Sequence, residues 1–226
     1  ARYLIRTYQV PLERCLILAF TNALKDYIDS ALEDLNIAGV EVLTFDRWCK
    51  NFHEEYIGIP PRNGNFADPE ATRQAVYSYL KENRLPKKPY DFILIDEGHD
   101  LEQTSFDVLT SVAEHITVLI DHKQQIYSSG CTERDILTAL GLNKINMALL
   151  EAHRCAFNIA HLASEFIKDN EQSKYFLRQS NAIRTSEEPL LLVANNFQQE
   201  INELISILKT RMSLGERIAI LFPAKW

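Results

Sequence analysis

The 226-residue sequence predicts an α/β fold, a parallel sheet with helices on both faces. Three observations carry this. The runs Phe92-Ile93-Leu94-Ile95 and Thr117-Val118-Leu119-Ile120 lack the polar alternation of a half-exposed strand, so they read as strands buried on both faces. Each run delivers an acid, Asp96 or Asp121, to a strand end, where open α/β sheets bind ligands. Segments of helical periodicity separate the apolar runs, which is the alternation of a parallel sheet.

Taken in order, Ala1 to Tyr8 reads as the tail of a helix, and Cys15 to Phe20 as the first strand. Thr21 is placed to cap a helix that carries Leu24, Tyr27, Ile28, Ala31, Leu32 and Leu35 on one face. Val40 to Thr44 is the second strand. Between Trp48 and Tyr90 the pattern breaks. Pro60, Pro61, Asn63, Gly64 and Asn65 make a loop, and Asp68-Pro69 is a cap-plus-first-turn signal for a helix with Val76, Tyr79 and Leu80. This stretch reads either as a small helical appendage or as an ordinary helical crossover. Phe92 to Asp96 and Thr117 to Asp121 are the next strands. Beyond Arg154 comes a helix with Ile159, Leu162, Ala163, Phe166 and Ile167 on one face, then a polar linker ending at Pro189. A second α/β unit follows, with strands at Leu190 to Ala194 and Ile218 to Phe222 around a helix bearing Ile201, Leu204, Ile205, Leu208 and Met212.

Composition narrows the function classes. A net charge of −7 argues against a uniformly basic nucleic-acid surface, although a local groove with aromatic platforms needs no such surface. Arg84, Lys87 and Lys88 read as a solvated cluster. No apolar run approaches the roughly 20 residues of a membrane-spanning helix. Cys15, Cys49, Cys131 and Cys155 show no C-x-x-C spacing, so the expectation is reduced thiols, no zinc and a cytoplasmic location.

The segment Asp96-Glu97-Gly98-His99-Asp100 carries the chemistry. An acid at a strand end can hold magnesium, usually through water, and its neighbour can orient or deprotonate an attacking water. The bland alternative has these acids capping the helix that starts near Leu101. A further alternative is a zinc or manganese hydrolase built from Asp96, Glu97, His99, Asp100 and His122. Two later segments bear on the choice: Asp121-His122-Lys123-Gln124-Gln125-Ile126-Tyr127, and Leu149-Leu150-Glu151-Ala152-His153-Arg154.

In this order and spacing, the three segments resemble the superfamily I DNA helicases of the UvrD/Rep type. Asp96, Glu97 and Asp100 match the Walker B pattern D-E-x-Q-D. Asp121, Gln124, Ile126 and Tyr127 match the third motif, G-D-x-x-Q-x-I-Y, and Arg154 matches the arginine of the fourth. Cys15 to Leu24 looks like motif Ia and Val42 to Phe45 like motif Ib. The chain departs from the family at His99 for glutamine, Ile120 for glycine, Asp46 for histidine and Ala152-His153 for Asn-Tyr, and Ser129 stands near the position of a base-stacking aromatic.

The resemblance implies a RecA-like P-loop NTPase sheet. Residues 1–155 would be a partial domain 1A with a short helical insertion near 49–90, and 156–226 the beginning of a second RecA-like domain, 2A. It implies ATP and Mg2+, with Asp96 as the magnesium acid and Glu97 as general base. Gln124 would sense the γ-phosphate, and Arg154 would supply positive charge to it. Single-stranded DNA is the implied partner, with Phe20, Thr21, Asn22, Thr44, Phe45 and Tyr127 as its contacts. Core packing is an equal reading for Phe20 and Phe45, and the preferred one for Trp48. None of the seven glycines is followed by lysine, so the loop G-x-x-x-x-G-K-[ST] is not among these residues. The expectation is that this loop lies upstream and the remaining motifs downstream. The fragment would then hydrolyse ATP no faster than background and offer exposed sheet edges for self-association. The alternatives are a non-helicase or degenerate P-loop ATPase, and a non-catalytic interaction domain.

Overall fold

The computed structural model describes residues 1–121, 124, 130–147, 156–179 and 188–221. The chain divides into two compact units, Ala1–Asn146 and Met147–Trp226. In the first, helix α1 (Arg2–Tyr8) leads through a 3-10 turn at Leu12–Arg14 into β1 (Cys15–Leu18), α2 (Asn22–Asp34) and β2 (Glu41–Leu43). There follow α3 (Phe45–Tyr56), a small antiparallel pair β3 (Arg62–Asn63) and β4 (Phe66–Ala67), and α4 (Pro69–Glu82). Then come β5 (Tyr90–Ile95), α5 (Gln103–Val112), β6 (Ala113–Val118) and α6 (Glu133–Ala139).

Strands β2, β1, β5 and β6 lie in that order in one four-stranded sheet, and every pairing is parallel. Leu18 is level with Leu43 on one side and Ile95 on the other, and Ile95 is level with Val118, so the strands end along one edge. Alternation along the strands splits the core in two. Leu16, Leu18, Ile93 and Ile95 pack with Trp48 and Phe52 of α3, Val76 and Leu80 of α4, and Phe106 and Leu109 of α5. Cys15, Ile17 and Val42 pack the opposite way with Leu32 and Ile37, joined by Leu4 and Ile5 of α1. Helices therefore cover both faces of a parallel sheet, as the apolar runs predict. Trp48 is core, and its indole N–H donates to the Tyr90 hydroxyl at 3.1 Å.

Three strand expectations need correction. The strand expected at Thr117 to Asp121 runs instead from Ala113 to Val118. Helix α5 ends at Val112 and Ala113 is already extended, so pairing with β5 begins at once, Tyr90 opposite Ala113. Among the described residues β6 is an edge strand, and an edge tolerates Glu114, His115 and Thr117 facing water, which the apolar run concealed. In the second unit, Leu190 to Ala194 and the described part of Ile218 to Phe222 form no strand, and Leu191 is 90% exposed. An extended segment becomes a strand only with a neighbour to pair with, and these have none among the described residues. Among its described residues that unit has helices α7 (Phe157–Ser164), α8 (Asn170–Gln179) and α9 (Phe197–Ser213). No helix among the described residues is long and apolar enough to cross a membrane.

The caps at Thr21 and Asp68 follow the sequence signals, and Thr44, expected only as a strand end, is a further cap. Thr21 accepts from the Leu24 N–H at 3.2 Å at the start of α2, and Thr44 accepts from the Arg47 N–H at 3.3 Å at the start of α3. Asp68 accepts from the Ala71 N–H at 3.0 Å, with Pro69 at the first position of α4. Asp68→Ala should therefore lower the stability of this unit by about 1 kcal/mol. Urea unfolding followed by Trp48 fluorescence reads this loss, because Trp48 sits in the same core as α4. An unchanged midpoint would mean that Asp68 does not organise the helix start.

Candidate functional site

The candidate site grows from the C-terminal end of β5. The Asp96 N–H donates to the Leu18 carbonyl at 3.0 Å, one bond past the end of the strand, so the backbone is still held by the sheet where the carboxylate begins. Asp96 Oδ1 accepts from the N–H of Glu97 at 3.1 Å. Glu97 then adopts φ 52° and ψ 41°, a left-handed conformation that costs a residue with a Cβ roughly 1–3 kcal/mol and concentrates at functional sites. That bend turns the chain into a 3-10 turn at Gly98–Asp100.

Gly98 is there because nothing larger fits. Its N–H donates to the Leu119 carbonyl at 2.9 Å, and a Cβ placed on it would lie 2.2 Å from Val118 Cγ1. This close approach seats the turn against β6. His99, 1% exposed, faces the same way. Its Nδ1 accepts from the Asp121 N–H at 3.1 Å. Accepting there requires a lone pair on Nδ1, so a neutral ring carries its proton on Nε2. Nε2 lies 3.6 Å from Glu97 Oε2 and 3.8 Å from Asp100 Oδ2. Asp121 Oδ2 in turn accepts from the side-chain amide of Gln124 at 2.8 Å, and the Gln124 N–H donates to the Asp121 carbonyl at 2.9 Å.

The structure therefore brings Asp96, Glu97 and Gln124 into one neighbourhood: hydrogen bonds join His99 to Asp121 and Asp121 to Gln124, and Glu97 approaches the His99 ring at 3.6 Å. Arg154 and Tyr127 lie outside the described residues. Burial is the main influence raising the Glu97 carboxyl above the ordinary glutamate range; the neighbouring Asp96 charge adds to it, and His99 opposes it. A carboxylate pushed in this direction is a better proton acceptor.

Beside this group opens a shallow cleft of about 120 Å³ whose lining includes Phe20, Thr44, Asp46, Arg73, Asp96 and Asp100. The candidate nucleic-acid residues divide here. Thr21 and Asn22 are exposed at the start of α2, and Phe20 and Thr44 are half-buried beside the cleft. Phe45 reaches the cleft lining too, but it is 8% exposed and stacks on Trp48 with ring centroids 6.1 Å apart, so most of its ring packs in the core. Asp100 does not cap the following helix: the cap position of α5 is Glu102, and its side chain makes no capping bond. The Asp100 side chain is 7% exposed, and its Oδ1 has no hydrogen-bond partner among the described residues.

Arg73 escaped the sequence reading. It sits on α4, bonds Asp46 at 2.6 Å and also pairs with Glu70, its neighbour one turn back. Only the Glu70 spacing was visible in the sequence, because the Asp46 contact joins two helices. With Asp46, Asp96, Asp100 and Glu102 in the lining and Arg73 already engaged by two carboxylates, the cleft favours a cation over a bare polyanion. No group of three or more His, Cys, Asp or Glu side chains among the described residues is arranged to hold a metal ion. His122 of the hydrolase alternative lies outside the described residues, and the Nδ1 lone pair of His99 is spent on Asp121. Searches against models of known protein families and against curated proteins returned no match.

Two predictions come from this geometry. Gly98→Ala should destabilise the chain by about 1–3 kcal/mol through overpacking, because the stiff Val118 side chain cannot swing away. Adding Val118→Ala should recover part of the loss, seen in urea unfolding as non-additive single and double variants; strict additivity would mean that the two do not touch. Glu97→Gln tests the raised carboxyl. The unfolded chain ionises Glu97 first as pH rises, so stability falls through that window and the deficit is complete above the folded-state value. The variant should resist urea better than the parent at neutral pH and lose that advantage below about pH 4, where both states are protonated. Equal midpoints at neutral pH would contradict the shift.

Proposed function

We propose that this chain is part of the motor core of an ATP-dependent DNA helicase or translocase acting on single-stranded DNA, with a RecA-like sheet as its frame. The observation that carries the reading is that Asp96 and Glu97, at the end of a central parallel strand, lie beside His99, which is hydrogen-bonded to Asp121 and through it to Gln124, beyond the end of the next strand. Two strand ends meeting at one edge are what a hydrolytic site needs, one supplying the acids and the other a side chain that reports on the phosphate.

Magnesium would be held by Asp96 and would neutralise charge developing on the phosphates. The fit is good on two counts. Asp96 is only partly buried at the open end of β5, and the surrounding lining is acidic. Glu97 orients a water molecule and accepts its proton as the oxygen attacks the γ-phosphorus of ATP and the bond from that phosphorus to the bridging oxygen breaks, releasing ADP and phosphate; the burial that raises its carboxyl helps. Gln124, tethered to Asp121, holds the phosphate or its water, and Arg154 supplies positive charge to the transferring group. A phosphate-cradling loop is not among the 226 residues, so the reading requires one from outside them.

A second reading, a P-loop ATPase that does not travel on DNA, is favoured by the acidic cleft and the engaged Arg73. In protein that includes the phosphate loop, single-stranded DNA should stimulate ATP turnover under the first reading and leave it unchanged under the second. In the same protein, Glu97→Gln should leave ATP binding nearly intact and lower turnover by about a hundred- to ten-thousand-fold. Arg154→Ala should lower it about a thousandfold. Turnover undiminished by Glu97→Gln would place the base elsewhere.

A further inference from the structure

We propose that His99 is a positioning residue that ties the Glu97 carboxylate to the Asp121–Gln124 turn, so that base and phosphate-sensing glutamine keep one register. The roles of Glu97 and Gln124 rest on the function proposed above; the tie itself rests on geometry alone.

The ring is fixed on two sides. Gly98 holds the turn against β6 through its bond to Leu119, and the contact with Val118 allows no slack there. His99 then sits in a fully buried position with Nδ1 on the Asp121 N–H at 3.1 Å. Two carboxylates, Glu97 Oε2 at 3.6 Å and Asp100 Oδ2 at 3.8 Å, flank Nε2 on the other side. Both separations exceed a good hydrogen bond by a few tenths of an ångström, so a small shift of either carboxylate closes a bond to the same N–H. Asp100 is nearly buried, so its carboxylate stays beside the donor when Glu97 turns toward a water. Any movement of the Asp121 backbone is passed to the ring, and from the ring to whichever carboxylate it serves. Glutamine is the one other uncharged side chain of similar reach with an acceptor and a donor at its tip; leucine has comparable bulk and neither.

Three measurements test this. In the 226-residue chain, nitrogen chemical shifts of His99 should report a ring protonated on Nε2 and bare on Nδ1. A proton on Nδ1 would overturn the proposal without any variant being made. Amide exchange at Asp121 should be unchanged in His99→Gln and up to about tenfold faster in His99→Leu, the loss of one hydrogen bond. Equal protection in both variants would also overturn it. If His99→Leu does not fold, the tautomer and the His99→Gln exchange decide the matter. In protein that includes the phosphate loop, His99→Leu should lower kcat with little change in KM for ATP, and His99→Gln should restore it. If the parent shows no ATP turnover while the tautomer and exchange results hold, the proposed function fails and the tie stands. If the parent turns over ATP and His99→Leu matches it, the tie fails and the function stands.

Discussion

Everything at the candidate site depends on the sheet's hydrogen bonding continuing past the end of β5. That strand is held on both sides, by β1 and by β6, and the bonding does not stop where its apolar residues stop. Asp96 still bonds to Leu18, Leu119 to Ile95 and Gly98 to Leu119, each at 3.0 Å or less. These bonds carry rigidity from the core into the turn, which is why Glu97 can be kept in a left-handed conformation and Gly98 pressed against Val118. A loop hung from one strand alone would relax both features. The strain is maintained by the packing beneath it, where Leu16, Leu18, Ile93 and Ile95 are buried against three helices.

Charge is the second constraint. Asp96, Asp100 and Asp121 each push the Glu97 carboxyl upward, and only His99 pulls against them. Gathering acids at a partly buried strand end works against folding unless a positive charge offsets them. The turn and the cleft share Asp96 and Asp100, so one divalent cation would relieve both. Arg73 cannot serve this purpose, being already committed to Asp46 and Glu70.

How much was legible in the sequence depended on whether the signal was local. The caps at Thr21 and Asp68 act within one helical turn, and the buried runs of β1 and β5 are marked by their own composition. Asp96 and Glu97 could be picked out for the same reason. The bounds of β6 could not, because an edge strand carries polar residues, and the register that begins at Ala113 is imposed by its partner. Leu190 to Ala194 has a strand's composition but forms none, since strand formation requires a neighbour and composition does not reveal one. Arg73 with Asp46 and His99 with Asp121 are separated by 27 and 22 positions, and no local pattern predicts such meetings.

If the acids after β5 and the residues Asp121 and Gln124 after β6 form a single site, one bound cation should sense both. Titration of the chain with Mn2+, read as paramagnetic broadening of backbone amide signals, tests it most directly. Asp96, Glu97 and Gly98 should broaden together with Asp121 and Gln124 at the same added concentration, while β3 and β4 stay sharp. Broadening confined to residues 96–100, or strongest at another acidic surface such as Glu54 and Glu55, would contradict it.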